Sequence, residues 1–213
     1  MSKRYIILDT ETTGASEQDR IIQLGYLVLG GQATEVHNEL CFSETPIGYG
    51  AMEVHNITPE MLENKPICIH TTAYKRLLEL NSLENYLIIH NAPFDVGFLK
   101  KEHSFLKDKR FLDNEIIDSL KLARKKSPGK KNTLDALCER YSVDSSDRTL
   151  HGALLDARLL AHVYLKMTVG QNNFSDLTVD KKFEKINDNT FKDTFKIIEA
   201  SDEEKSLHES YFK

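Results

Sequence analysis

Asp9 and Glu11 stand two residues apart at the end of the apolar run 5–8, and side chains two apart on a strand project from one face. Two carboxylates there are either a solvated strand exit or half of a cation site. Asp95 falls in the first turn of a helix opened by Asn91-Ala92-Pro93, where an acid also stabilises the positive helix end. Asp156 is more demanding, because steps of three, four, seven and eleven residues along its helix meet Leu159, Leu160, Val163 and Met167. An ionised carboxylate on such a core-facing stripe is costly unless it is paired or bound to metal, and no Lys or Arg shares the stripe within that helix. His151 precedes Asp156 by five residues and would fall on another helix face at about 100° per residue. It is therefore expected just ahead of the helix, leaning over the same site.

Four acids gathered together repel: a pair about 4 Å apart costs about 4 kcal/mol at an effective dielectric of about 20. A cation among them is expected, and oxygen donors favour the hard ions Mg²⁺ or Mn²⁺ with phosphate oxygens as companions.

The elements that must position these residues follow from patterning. Residues 5–8, 21–29 and 34–42 are strand-like, with Gly30-Gly31 as a turn, which predicts an antiparallel meander. A polar, Gly-rich stretch leads to 54–57, and Thr58-Pro59-Glu60 caps a short helix. Helical spacing over 71–80, a buried strand at 86–90 and a helix from 91 to about 105 come next. Helices near 118–126 and 133–141, split by Ser127-Pro128-Gly129, precede a long one over 152–167. The class is α/β with an antiparallel start.

Asp9-Thr10-Glu11-Thr12-Thr13-Gly14, Asn91-Ala92-Pro93-Phe94-Asp95 and His151-Gly152-Ala153-Leu154-Leu155-Asp156-Ala157 occur in that order. Together they resemble the three motifs of the DEDDh (DnaQ-like) family of 3′→5′ exonucleases. Asp118-Ser119-Leu120, Pro128-Gly129-Lys130, Leu134-Asp135-Ala136-Leu137-Cys138 and Arg148-Thr149-Leu150-His151-Gly152 are similar in particular to its epsilon branch, the proofreading subunits of bacterial DNA polymerase III. The resemblance spans 4–175 and returns weakly over 197–209.

It implies a ribonuclease H-like α/β fold, a mixed β-sheet flanked by helices, and two-metal phosphodiester hydrolysis. Asp9, Glu11 and Asp156 would bind two cations, Mg²⁺ or Mn²⁺, with Asp9 bridging them and Asp95 acting through water. His151 would be the general base, and Asp9, Glu11, His55 and Asp156 the substrate contacts. Read alone, His55 is equally an ordinary loop histidine, and Gly50 stands where the family often has an acid. Residues 169 to about 190 are rich in Asn, Asp, Lys and Thr with scattered apolar residues, which reads as a linker. This sets an exonuclease domain over 1–170, a flexible linker over 171–190 and a short segment over 191–213; the resemblance implies that this last segment binds the polymerase alpha subunit. A small third core subunit accompanies some relatives. A sliding-clamp peptide would fall at 171–176, with Asp176 in place of its final aromatic residue. An RNA-trimming exonuclease with the same five residues is one alternative, and a non-catalytic module bridging polymerase and clamp is another.

Composition bounds all of this. The 213 residues, 40% hydrophobic and 29% charged, suit one globular core with a short appendage. A net charge of −5 excludes a broad basic footprint, so contact with a DNA 3′ end must be local. Lys121, Arg124, Lys125, Lys126, Lys130 and Lys131 crowd one segment, either as a solvated helix face or as an attractor of the DNA backbone. Cys41, Cys68 and Cys138 lack C-x-x-C spacing, which predicts buried reduced thiols rather than zinc or disulfides. The first apolar run is cut at Asp9 and no long apolar span exists, so a cytoplasmic protein without membrane association is expected.

Overall fold

The computed structural model describes residues 3–30, 34–107, 111–146 and 150–168. The chain separates into two units, Met1–Leu177 and Thr178–Lys213. The expected linker 171–190, clamp peptide 171–176 and C-terminal segment 191–213 lie outside the described residues.

Strands β1 (Tyr5–Thr12), β2 (Ile21–Leu29) and β3 (Glu35–Leu40) form the antiparallel meander, and β4 (Tyr86–Ile89) and β5 (Glu115–Asp118) extend it in the order β3-β2-β1-β4-β5. The β1–β4 and β4–β5 pairs are parallel, so the sheet is mixed. Central strands buried on both faces read as continuous apolar runs, as Ile6-Ile7-Leu8 does. Helices α1 (Tyr49–His55), α2 (Pro59–Leu62), α3 (Thr72–Glu79), α4 (Ala92–His103), α5 (Ser119–Lys126), α6 (Leu134–Arg140) and α7 (Ala153–Thr168) complete the α/β fold. None is long and apolar enough to cross a membrane.

Three elements differ from the expectation. β1 does not end at Leu8 but runs to Thr12, with Asp9 opposite Gly25 and Glu11 opposite Gln23 of β2. Residues 115–118 form a parallel edge strand ahead of α5, whose first turn is capped by the Asp118 carboxylate accepting from the Leu120 and Lys121 N–H groups. The Gly-rich stretch contains α1, anchored where the Gly48 N–H donates to the Thr13 carbonyl at 2.8 Å. The three cysteines are buried and none is in a disulfide.

Alternation along β1 divides its duties. Ile6 and Leu8 pack into one core with Tyr74 and Leu77 of α3 and Phe98 and Leu99 of α4. Ile7, Asp9 and Glu11 therefore project to the opposite face. There α7 crosses, so closely that a Cβ on Gly25 would meet the backbone of Ala153 and Leu154.

Edge strand β3 is tied down by Glu35, whose carboxylate accepts from Arg76 Nε at 2.9 Å and Nη2 at 2.8 Å. This bidentate bond to Arg76 holds the Glu35 carboxyl near pH 2, against an ordinary value of 4.5. The resulting stability is present above pH 4.5 and is lost as pH falls towards 2. Because the pair is partly exposed, solvent screening reduces it to about 1 kcal/mol. Glu35→Gln is expected to lower stability by about that amount at neutral pH. The difference should vanish in urea melts near the acid end of the window.

Candidate active site

β1 supplies Asp9 and Glu11, the first turn of α4 supplies Asp95, and the start of α7 supplies Asp156 with His151 just before it. All five line one cleft of about 890 Å³. Within it, ligand atoms of Glu11, His151 and Asp156 lie within 4.8 Å of one another. Asp9 and Asp95 share the cleft but stand outside that closest group.

The acid on the apolar stripe of α7 has its partner outside the helix. His151 Nδ1 lies 2.9 Å from Asp156 Oδ2, with Asp156 almost wholly buried and His151 42% exposed. A carboxylate only accepts, so Nδ1 carries the proton in this pair and Nε2 is the basic nitrogen of the neutral ring. The His151 backbone is held too, its N–H donating to the Val54 carbonyl at 3.0 Å. Two residues on, the Ala153 N–H donates to Gln23 Oε1 at 3.1 Å, while the Gln23 amide donates to Asn38 Oδ1 at 3.0 Å. Gln23 thus satisfies an otherwise orphaned donor at the start of α7.

Asp95 is positioned from the other face of β1. Thr10 Oγ1 donates to Asp95 Oδ1 at 2.7 Å. Burial pushes the Asp95 carboxyl up to about 7, opposed by the Thr10 hydroxyl. A buried carboxyl with so strong a hold on its proton is stabilised in the charged form by a nearby cation.

His55 is buried, and its Nδ1 accepts from the Ile57 N–H at 2.9 Å. Burial lowers its pKa, which keeps the ring neutral. It is not among the residues lining the cleft, and it reaches the site through its neighbour Val54, the acceptor for His151. Arg124, Lys130 and Asn132 line the cleft as well.

Thr10 and Gln23 were not picked out from the sequence. Thr10 had a signal, since a hydroxyl alternating with two acids must face the other layer. Gln23 had none, because its partner Ala153 is 130 residues away.

The family model described as Exonuclease (RNase_T) matches residues 6–164. The chain is similar to a protein of Buchnera aphidicola subsp. Acyrthosiphon pisum named DNA polymerase III subunit epsilon, with 41% identity covering 99% of this chain and 94% of the relative. The Haemophilus influenzae protein of the same name is 44% identical, over 81% of this chain and 70% of the relative. Among solved structures, exonuclease X in complex with 5′-overhanging duplex DNA superposes with a TM-score of 0.59 at 25% identity, covering 78% of this chain and 90% of that one.

Proposed function

The chain belongs to the RNase_T exonuclease family and, within it, to the DNA polymerase III epsilon subunits, and on that premise we propose that it removes mismatched 3′-terminal nucleotides for a replicase. The observation that carries the reading is the His151–Asp156 pair at 2.9 Å, set in a cleft with Glu11, Asp9 and Asp95.

The donor set fits hard cations: the carboxylates of Asp9, Glu11, Asp95 and Asp156 converge on one cleft, and oxygen donors favour such ions. Asp9, Glu11 and Asp156 would hold two ions, Mg²⁺ or Mn²⁺, directly, and Asp95 would act through water. Bound there, the ions supply Lewis-acid stabilisation of phosphate charge and acidify the attacking water.

The chain's own residues do the rest. His151 Nε2 takes the proton of the attacking water, and the Asp156 carboxylate orients the ring and stabilises the imidazolium that forms. The water oxygen bonds to phosphorus as the bond to the upstream 3′-oxygen breaks. That oxygen takes up a proton, leaving a 5′-nucleoside monophosphate and a strand shorter by one residue. The substrate contact expected of His55 would require its buried ring to be uncovered, because it lies outside the cleft lining, next to the backbone that holds His151.

The test is Mg²⁺-dependent degradation of labelled single-stranded DNA beside an RNA oligomer of the same sequence, with Asp9→Ala and His151→Ala prepared identically. Stepwise loss of 3′ nucleotides from DNA by wild type alone is the expected result. Inactive folded wild type, or a preference for RNA, would overturn it.

The segment 191–213 is assigned to the polymerase alpha subunit, supported by the shared name of the relatives and the weak similarity over 197–209. The peptide 171–176 is a weakened sliding-clamp motif, and a small third core subunit is the remaining candidate partner. Truncation after residue 170 is expected to abolish co-elution with alpha while preserving nuclease activity. Retained co-elution would place the contact on the exonuclease domain instead.

A further inference from the structure

The cleft has a second wall that the five site residues leave unexplained. Arg124, in the last turn of α5, and Lys130, on the loop before α6, line the same space as the carboxylates. Both are exposed, and among the described residues neither makes an ion pair or a side-chain hydrogen bond. Asp135 is also in the lining, so this wall sets two cations against one carboxylate.

The loop carrying Lys130 is built rather than left to solvent. Asn132 is buried, and its Nδ2 donates to the Lys130 carbonyl at 2.9 Å and the Ser127 carbonyl at 3.3 Å. Its Oδ1 accepts from Arg140 at 2.8 Å. Gly129 takes φ +77°, which a side chain would oppose, and Thr133 Oγ1 accepts the Ala136 N–H at the start of α6. A buried amide, a positive-φ glycine and a helix cap thus converge to hold one exposed loop in a fixed shape.

Electrostatics gives that wall a task. A phosphodiester strand entering a cleft with five carboxylates, on a chain of net charge −5, needs compensating positive charge close by. The volume, about 890 Å³, lies toward the upper end of the usual range of about 300–1,000 Å³ for ligand pockets, which leaves room beside the terminal nucleotide.

We infer that Arg124 and Lys130 form a phosphate subsite for the nucleotide upstream of the scissile bond. The inference rests on the exonuclease reading above and deepens it: the enzyme grips its strand one phosphate behind the cut. An arginine and a lysine on rigid supports suit a phosphate, which takes a fork of N–H donors from one and a point charge from the other.

The test compares two substrates. A single-stranded DNA oligonucleotide has the upstream phosphate, whereas the p-nitrophenyl ester of thymidine 5′-monophosphate presents the same scissile phosphate without it. Arg124→Gln and Lys130→Gln are each expected to raise KM for the oligonucleotide by about 5–10-fold, with kcat nearly held. Each should also reduce the salt slope of binding by about 0.7. The rise on the ester should be no more than about twofold, and Arg124→Lys should recover part of the loss. Equal losses on both substrates, or unchanged KM and salt slope on the oligonucleotide, would overturn the subsite. Wild-type failure on both would instead overturn the nuclease reading, and the subsite with it.

Discussion

Asp156→Asn is expected to slow release of the 3′-terminal nucleotide by about 10⁴-fold, the loss that follows when an aspartate orienting a catalytic histidine becomes an amide. Two roles meet in this one carboxylate. Its Oδ2 holds His151 at 2.9 Å, and it shares a cluster of possible metal ligands with Glu11. His151→Gln removes only the base and should cost about 10²–10⁴-fold. Because the two act as a unit, the double variant should be little slower than Asp156→Asn alone. Single-turnover rates of the four proteins settle this, and multiplying losses would show that the residues act independently. Stability should move the other way. Asn removes a buried charge crowded by neighbouring acids at nearly constant volume, so the metal-free variant should melt above wild type. A variant that is both inactive and less stable would point to misfolding instead.

The candidate site was readable because its residues violate ordinary expectations. An acid on the stripe of Leu159, Leu160, Val163 and Met167 makes physical sense only with a partner, and the partner found is His151, just ahead of α7 where helical spacing placed it. The mixed sheet with an antiparallel start was legible for a similar reason, since the apolar runs of β1, β2 and β4 are buried in it. What failed to show was structure made by distant pairing. Glu115-Ile116-Ile117-Asp118 has too little apolar length to announce a strand, and it exists because β4 offers a parallel edge. The α1 segment begins with Gly48, Tyr49 and Gly50, a poor helix start by local preference, yet it is fixed by the bond from Gly48 to Thr13. Asp9 and Glu11 looked like a strand exit because charge usually ends a buried run. Their side chains face the cleft, so the backbone ladder with β2 continues through them.

The fold's largest leverage on the chemistry lies at a residue with no side chain. Gly25→Ala is expected to cut the single-turnover rate by about 10²-fold while leaving a folded protein, since misplacing reacting groups by about 1 Å costs that much. Gly25 pairs with Asp9 in the sheet, and its missing Cβ is the space into which the start of α7 settles. An added methyl would run into the backbone of Leu154 and Ala153 and come within 2.8 Å of the Ala153 Cβ. Backbone cannot rotate away as a flexible side chain does, so the helix start must retreat. With it would go the Gln23 bond to Ala153 and the approach of Asp156 and His151 to Glu11. The stability loss should be about 1–3 kcal/mol, as for other overpacked contacts. Ala153→Gly in the same chain removes one methyl but not the clash with Leu154 N, so it should restore only a small part of either loss. Full rescue would mean that side-chain crowding alone sets the distance. An unchanged rate in Gly25→Ala would mean that the carboxylates of β1 and the histidine of α7 need not approach so closely for cleavage.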